Sequence, residues 1–313
     1  MKKHLLLLLI LTSSFFSKAQ TALKLVDKGL EFIDNKKFDS ALIVLNKAWS
    51  IDSTIYQIYI GRGAAYSELE KWDESYLEFT KAIDKFPDSA YGYHFRAMLF
   101  SKLTYNDAAI ADNTKALQLT DEDTFRVVLY MNRGVAYMQK RDFQKAYEDY
   151  SRAYLLDTNS TAILNNIATV LDELGRVDEA IASLKKITVI DPTFVGPYVN
   201  LGFQFTKLGK YKEAIEYFDK ALTLEKDEPL ALNNRGLAKY HIKDYQGALE
   251  DINKSISIYP GNSYAYKNRA LVYIELNEKE KACADIKAAL DRGFTEMYGP
   301  EVLEMKKVNC PKN

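Results

Sequence analysis

Five asparagines stand 34 residues apart along the chain: Asn132, Asn166, Asn200, Asn234 and Asn268. A carboxamide both donates and accepts hydrogen bonds. A row of them could therefore match the N–H and C=O groups of another polypeptide's backbone, whatever its side chains. The competing reading is that each asparagine caps local backbone or faces water. Two further columns keep the same spacing. Arg62, Arg96, Arg133, Arg235 and Arg269 are each followed sixteen residues later by an acid, namely Glu78, Asp112, Asp149, Asp251 and Asp285. Where Lys28, Ile167 or Leu201 replaces the arginine, Val44, Ser183 or Tyr217 replaces the acid. The correspondence predicts ion pairs that fix the register of two helices, and it removes those carboxylates from the candidates for catalysis.

Little else in the chain could do chemistry. The three histidines are His4, His94 and His241. The last two fall in distant parts of the repeat pattern and cannot share a site. No HExxH, GxSxG, CxxC or phosphate-cradling glycine loop occurs. The chain reads as non-enzymatic, with no catalytic residues, cofactor or metal expected.

These columns belong to a period that runs through the whole chain. Gly29, Gly63, Ala97, Gly134, Ala168, Gly202, Gly236 and Ala270 share one phase, and Ala41, Ser75, Ala109, Ala146, Ala180, Ala214, Ala248 and Ala282 follow them by twelve residues. Eight copies of 34 residues start at Ala22, Tyr56, Ala90, Val127, Thr161, Val195, Pro229 and Ser263, with Thr124, Phe125 and Arg126 inserted between the third and fourth. Glycine and proline are scarce and no stretch alternates with a period of two. Each copy therefore reads as two antiparallel helices joined by a short turn. Within a copy, positions 8 and 20 are small so that the two helices approach closely. Pro87, Pro192 and Pro260, at position 32, end the second helix.

Small residues at 8 and 20, large residues at 4 (Tyr59, Tyr93, Tyr130, Tyr198, Tyr266), aromatics at 11 (Phe32, Tyr66, Phe100, Tyr137, Phe205, Tyr273), alanine at 27 and proline at 32 resemble the tetratricopeptide repeat. The resemblance implies an all-α fold, a right-handed superhelical solenoid of eight helix hairpins plus a C-terminal capping helix. Residues 20–296 would form the solenoid and 297–313 the capping helix and tail. Copy 3 departs most, with Tyr105 one position early and Asn113 at the usually apolar position 24. In such repeats position 6 faces a concave groove, which places the asparagine row there. Stacked helices about 8–10 Å apart would set successive asparagines roughly every third residue of an extended peptide. Groove contacts are expected from these five with His94, Phe203, Tyr240 and Tyr264 beside them. Positions 2, 5, 9 and 12 are largely apolar and suit a peptide with apolar side chains or an amphipathic helix. Lys267 is the only basic residue at positions 2, 5 and 6, so the carboxylate clamp of some relatives is not expected.

The two ends carry separate signals. Lys2 and Lys3, the apolar run Leu5–Leu11 and Ser17-Lys18-Ala19 predict a secretory signal peptide over residues 1–19, cut after Ala19. No transmembrane segment is expected in the mature chain. The whole chain carries 42 basic and 43 acidic residues; losing the leader removes Lys2, Lys3 and Lys18 and leaves a net charge of about −4. That balance gives no footprint for nucleic acid. In an exported chain the cysteines Cys283 and Cys310 predict a disulfide, worth about 3–4 kcal/mol; two unrelated thiols is the other reading. The bridge would staple the capping helix to copy 8. The leader and this cysteine pair make the chain similar to periplasmic repeat proteins of Bacteroidetes-type bacteria. The functional expectation is a protein- or peptide-binding scaffold of the cell envelope, periplasmic or extracellular. A glycan or small-molecule capture protein, or a structural spacer without a groove ligand, are the alternatives.

Overall fold

The computed structural model describes the backbone over residues 2–310 and side chains over residues 18–310. The expected leader thus falls almost wholly outside the described side chains. Among the described residues all regular structure is α-helical, and no helix is long and apolar enough to cross a membrane. The chain divides into two compact units, Met1–Ile163 and Leu164–Asn313.

Unit 1 is built from helical hairpins. Helices α1 (Lys2–Asp34) and α2 (Phe38–Ile51) form the first, α3 (Tyr56–Glu68) and α4 (Trp72–Lys85) the second. The third is α5 (Ala90–Lys102) with α6 (Asn106–Gln118), the fourth α7 (Asp123–Gln139) with α8 (Phe143–Leu156). First helices lie side by side: α1 touches α3, α3 touches α5, and α5 touches α7. They make an inner face. Apolar clusters join neighbouring hairpins, as where Tyr59, Ile60, Phe79, Ala82 and Leu99 pack together from α3, α4 and α5.

In the second unit, α9 (Thr161–Glu173), which carries the boundary, is followed by α10 (Val177–Ile190). The hairpins α11 (Val195–Lys207) with α12 (Tyr211–Leu224), α13 (Pro229–His241) with α14 (Tyr245–Ile258), and α15 (Ser263–Glu275) with α16 (Lys279–Asp291) come next. Here α11, α13 and α15 form the inner row. Two short helices, α17 (Phe294–Tyr298) and α18 (Glu301–Asn309), end the unit, so α17 spans the boundary expected between residues 296 and 297. Phe294 and Val302 are fully buried against Tyr266, Ala270, Ile286 and Ala289, which seals the last hairpin. A disulfide joins Cys283 on α16 to Cys310 just past α18, their Cα atoms 5.6 Å apart.

The turn inside every copy has one construction. Position 15 takes a left-handed conformation in Lys36, Glu70, Thr104, Arg141, Gly175, Gly209, Lys243 and Asn277. Its N–H bonds back three residues, and the next N–H bonds back five, as in Thr104 to Ser101 and Tyr105 to Phe100. This is the Schellman arrangement that satisfies the orphan carbonyls of a helix end. The tight hairpin that follows depends on position 8. A Cβ built on Gly63 would lie 2.4 Å from the Phe79 ring, and one on Gly202 2.5 Å from Phe218. Glycine there makes room for the large side chain at position 24 of the facing helix.

Candidate binding groove

The arginine column ties the hairpins. Arg96 holds Asp112 through Nε and Nη2 at 2.7 and 2.9 Å, Arg133 holds Asp149 at 2.7 and 2.7 Å, Arg235 holds Asp251 at 2.7 and 2.6 Å, and Arg269 holds Asp285 at 2.7 and 2.7 Å. All four acids are buried. In each case Nη1 reaches a third helix, at position 25 of the preceding copy: Thr80, Thr114, Asp219 or Asn253. The guanidinium thus spans three helices, which locks one hairpin onto the next. Arg62 differs: its Nη2 lies 3.3 Å from Glu78, and its Nε is buried with no partner.

With the register locked, the inner face presents a fixed set of side chains. Positions 2 and 9 stand open, giving Leu23, Tyr91, Met98, Val128 and Val135 in unit 1 and Phe203 and Leu230 in unit 2. Position 5, expected to face the groove, is buried instead at Val26, Ile60 and His94 in unit 1 and at Val199, Asn233 and Lys267 in unit 2. It points into the seam between neighbouring first helices.

His94 must therefore be corrected as a groove contact. The inserted residues lengthen α7 to 17 residues, against 13 in α3 and α5. The extra turn lays Phe125 over α5, stacked on Tyr91 at 4.4 Å and edge-on to His94 at 5.2 Å. Loss of water pushes the His94 imidazole down to about 4, and its Nδ1 has no partner.

The five asparagines are not one row of free carboxamides. Asn132, in unit 1, is half-buried on α7. In unit 2, Asn166 is half-buried and Asn200 exposed. Asn268 is 1% exposed and donates to Asn233 at 3.1 Å, while Asn233 donates to Asn234 at 3.2 Å. The expectation of a groove contact fails for Asn268, because the seam between α13 and α15 encloses it. Tyr264 fails too: Phe294 and Tyr298 cover it at 5.1 and 4.4 Å, and Glu301 pairs with Lys267 at 3.0 Å. Tyr240 is half-buried, packed on the cluster of Ala248, Ile252, Ala265 and Val272.

Asn200 and Phe203 do come together. With Ala168, Thr169, Asp172, Leu184 and Gln204 they line a pocket of about 170 Å³ between α9 and α11. Gln204 is buried and its Oε1 has no partner. A buried acceptor left unpaired costs about 1–3 kcal/mol, so a donor entering this pocket regains that amount. At the mouth Lys207 pairs with Asp172 at 2.6 Å. The sequence reading missed Gln204. The signal was there: position 10 is apolar in six other copies (Ala65, Leu99, Ala136, Val170, Ala238, Val272), and only Glu31 of the first copy and Gln204 depart from that. Unit 1 has a pocket of about 270 Å³ lined by Ile33, Ala64, Ser67, Glu68, Phe79, Phe95, Met98, Leu99 and Lys102.

Three adjoining segments, 127–160, 161–194 and 197–228, match models of the tetratricopeptide repeat. Among curated proteins the chain is 27% identical over 172 residues to anaphase-promoting complex subunit 3 of Schizosaccharomyces pombe, covering 55% of this chain and 25% of that one. It is 26% identical over 170 residues to tetratricopeptide repeat protein 13 of Homo sapiens, covering 53% and 19%. The chain thus spans a quarter or less of the length of these relatives. Among solved structures, the C-terminal part of a repeat protein from Cytophaga hutchinsonii superposes with a TM-score of 0.60 at 22% identity, covering 77% of this chain and 98% of that one. YrrB, a repeat protein with an unusual peptide-binding site, superposes at 0.50 and 24% identity, covering 60% and 95%. These structures share the fold.

Proposed function

We propose that this chain, three segments of which match the tetratricopeptide repeat, is a non-catalytic protein-binding scaffold that holds an extended polypeptide segment on the inner face of unit 2. The observation that carries this reading is the unpaired, buried Gln204 Oε1 beside the exposed Asn200 carboxamide and the Phe203 ring. A backbone N–H satisfies the Gln204 acceptor, Asn200 takes a backbone C=O or N–H, and Phe203 packs on a neighbouring side chain. The peptide-binding character of YrrB supports the same reading. The leader-like start supports export, with the scaffold working in the periplasm or outside the cell and beginning at Gln20 once cut.

A benzophenone amino acid placed at position 203, with a second chain carrying it at the exposed Thr223 on α12, tests the site in cells. The expected result is a polypeptide adduct from position 203 alone, lost with Asn200→Leu and Gln204→Leu. Adducts of equal yield from both positions, or adducts unaffected by those two substitutions, would move binding elsewhere. The mass of the chain recovered from the native cell envelope tests export: a chain that still begins at Met1 refutes it.

A further inference from the structure

A second cavity lies on the opposite side of unit 1 from its inner face, where the second helices α2 and α4 flank α3. It measures about 670 Å³ and is lined by Asn46, Trp49, Ser50, Ser53, Tyr59, Arg62, Lys81 and Lys85. That volume falls within the range of small-molecule sites. Three of these residues are cations and none is an acid.

The cavity exists because the arginine column fails here. In four other copies the guanidinium grips an aspartate through two nitrogens and sends its third to position 25 of the preceding copy. Copy 2 has Glu78 in place of aspartate. The longer side chain meets only Arg62 Nη2, at 3.3 Å, and its Oε1 also takes Lys81 Nζ at 2.9 Å. Arg62 Nε and Glu78 Oε2 are both buried without partners. The side chain of Asn46, at position 25, makes no hydrogen bond among the described residues and lines the cavity instead. Lys85 pairs with no acid among the described residues; its ammonium sits 5.7 Å from the Tyr59 ring.

One wall is a rigid aromatic plate. Trp49 is 46% exposed, yet its Nε1 donates to Tyr59 Oη at 3.3 Å, and Tyr59 Oη donates to the Ser53 carbonyl at 2.7 Å. Tyr59 itself is 2% exposed and floors the cavity. An indole fixed in this way presents a flat apolar surface at little entropic cost.

We infer that this cleft binds a small organic anion, a carboxylate or phosphate carried on a flat ring, with the ring on Trp49 and the anion on Arg62, Lys81 and Lys85. Arg62 and Lys81 share the single carboxylate of Glu78 and Lys85 has none, so three cations face one acid and the cleft keeps a net positive charge for charge-assisted hydrogen bonds. This site is independent of the groove in unit 2.

The test uses the full chain with Trp72→Phe, which leaves Trp49 as its one indole, titrated with phenyl phosphate, benzoate and neutral benzyl alcohol. Saturable change in Trp49 emission is expected with one or both anions and not with the alcohol. Isothermal titration of the unaltered chain provides a readout that does not depend on tryptophan. Lys81→Gln with Lys85→Gln should weaken binding at least tenfold. Glu78→Asp recreates the pairing of the other copies, so it should leave folding intact while drawing Arg62 away and weakening binding. The inference is overturned if neither anion saturates the site, if benzyl alcohol binds as tightly as phenyl phosphate, or if the double lysine variant binds like the parent.

Discussion

The two inner-face pockets occupy the same register of the repeat and differ in character. In unit 1 the pocket between copies 2 and 3 takes Ala64, Ser67 and Phe79 from one hairpin and Phe95, Met98 and Leu99 from the next. Its counterpart in unit 2, between copies 5 and 6, takes Thr169, Asp172 and Leu184, then Asn200, Phe203 and Gln204. Even the rim repeats, with Lys102 on Glu68 at 3.1 Å and Lys207 on Asp172 at 2.6 Å. The backbone frame is shared, so Asn in place of Phe at position 6 and Gln in place of Leu at position 10 give the recess of unit 2 the hydrogen-bonding groups that the apolar recess of unit 1 lacks. Both units also close part of their inner face with an aromatic plug. In unit 1 it is Phe125 over Tyr91 and His94; in unit 2 it is Phe294 and Tyr298 over Tyr264.

The plugs are held by different means, and breaking them gives the largest contrasts. In unit 2 the cap is covalently tied by Cys283–Cys310 across 27 positions. The Cys283→Ser, Cys310→Ser chain should lose about 3–4 kcal/mol of stability. Hydrogen exchange should report the loss in α15 to α18 and leave unit 1 unchanged; uniform loss through both units would show that they do not unfold separately.

The plug of unit 1 is held by packing alone, and its mark is pH. His94 sits under Phe125 with its imidazole pushed down from 6.5 to about 4 by burial. The sign follows directly. Between pH 6.5 and 4 the unfolded chain takes up a proton that folded His94 refuses, so this contribution is complete above pH 6.5 and falls as pH drops toward 4. The loss amounts to about 3 kcal/mol at its limit. His94→Leu should therefore be less sensitive than the parent across that window, measured as the difference in unfolding midpoint at pH 7 and 4.5. His241, exposed and stacked on Tyr211 at 4.3 Å, serves as the control in unit 2, because His241→Leu should shift the profile far less.

How far the sequence reveals all this depends on whether one column or several must be compared. The 34-residue phase and the five Arg–acid pairs are visible because each copy aligns with the next. The third partner of four arginines is visible in the same way: position 25 is Thr80, Thr114, Asp219 or Asn253 before those copies, Asn46 before Arg62, and Ser151 or Lys185 before a copy without an arginine. It spans two copies, so reading each copy alone hides it. Asn268 and Tyr264 share a column with exposed residues elsewhere, and only local additions cover them: the Asn233 bond and the C-terminal helices. His94 stands in a column that is buried in most copies, which the spacing alone does not reveal. Periodicity describes what copies have in common and is silent about what one copy lacks.

Position 8 offers a sharper comparison of the two pockets. Gly63 in unit 1 leaves space for Phe79, which floors the pocket there. Unit 2 has Ala168 at this position, facing the slimmer Leu184. Gly63→Ala should cost about 1–3 kcal/mol by overpacking and shrink the apolar pocket. Ala168→Gly removes no such clash and should cost only about 0.5–1 kcal/mol through helix propensity. Urea unfolding midpoints of the two variants separate these outcomes; equal losses would mean that the Phe79 ring moves aside freely.

The smallest contrast lies in the turns. All four within-copy turns of unit 1 place a residue with a side chain in the left-handed region, Lys36, Glu70, Thr104 and Arg141, whereas unit 2 uses glycine in two of its four, Gly175 and Gly209, beside Lys243 and Asn277. Thr104, at φ 61°, is β-branched and the most strained of these. A left-handed L-residue carries about 1–2 kcal/mol of steric cost, while glycine in its place adds about 0.5–1 kcal/mol of unfolded-state entropy. Thr104→Gly should therefore gain about 0.5–1 kcal/mol, and Gly209→Thr should lose as much or more. Thermal unfolding checks both, with a rise for the first and a fall for the second. A fall in both would show that Thr104 contributes something beyond the turn, and that unit 1 keeps it for that reason.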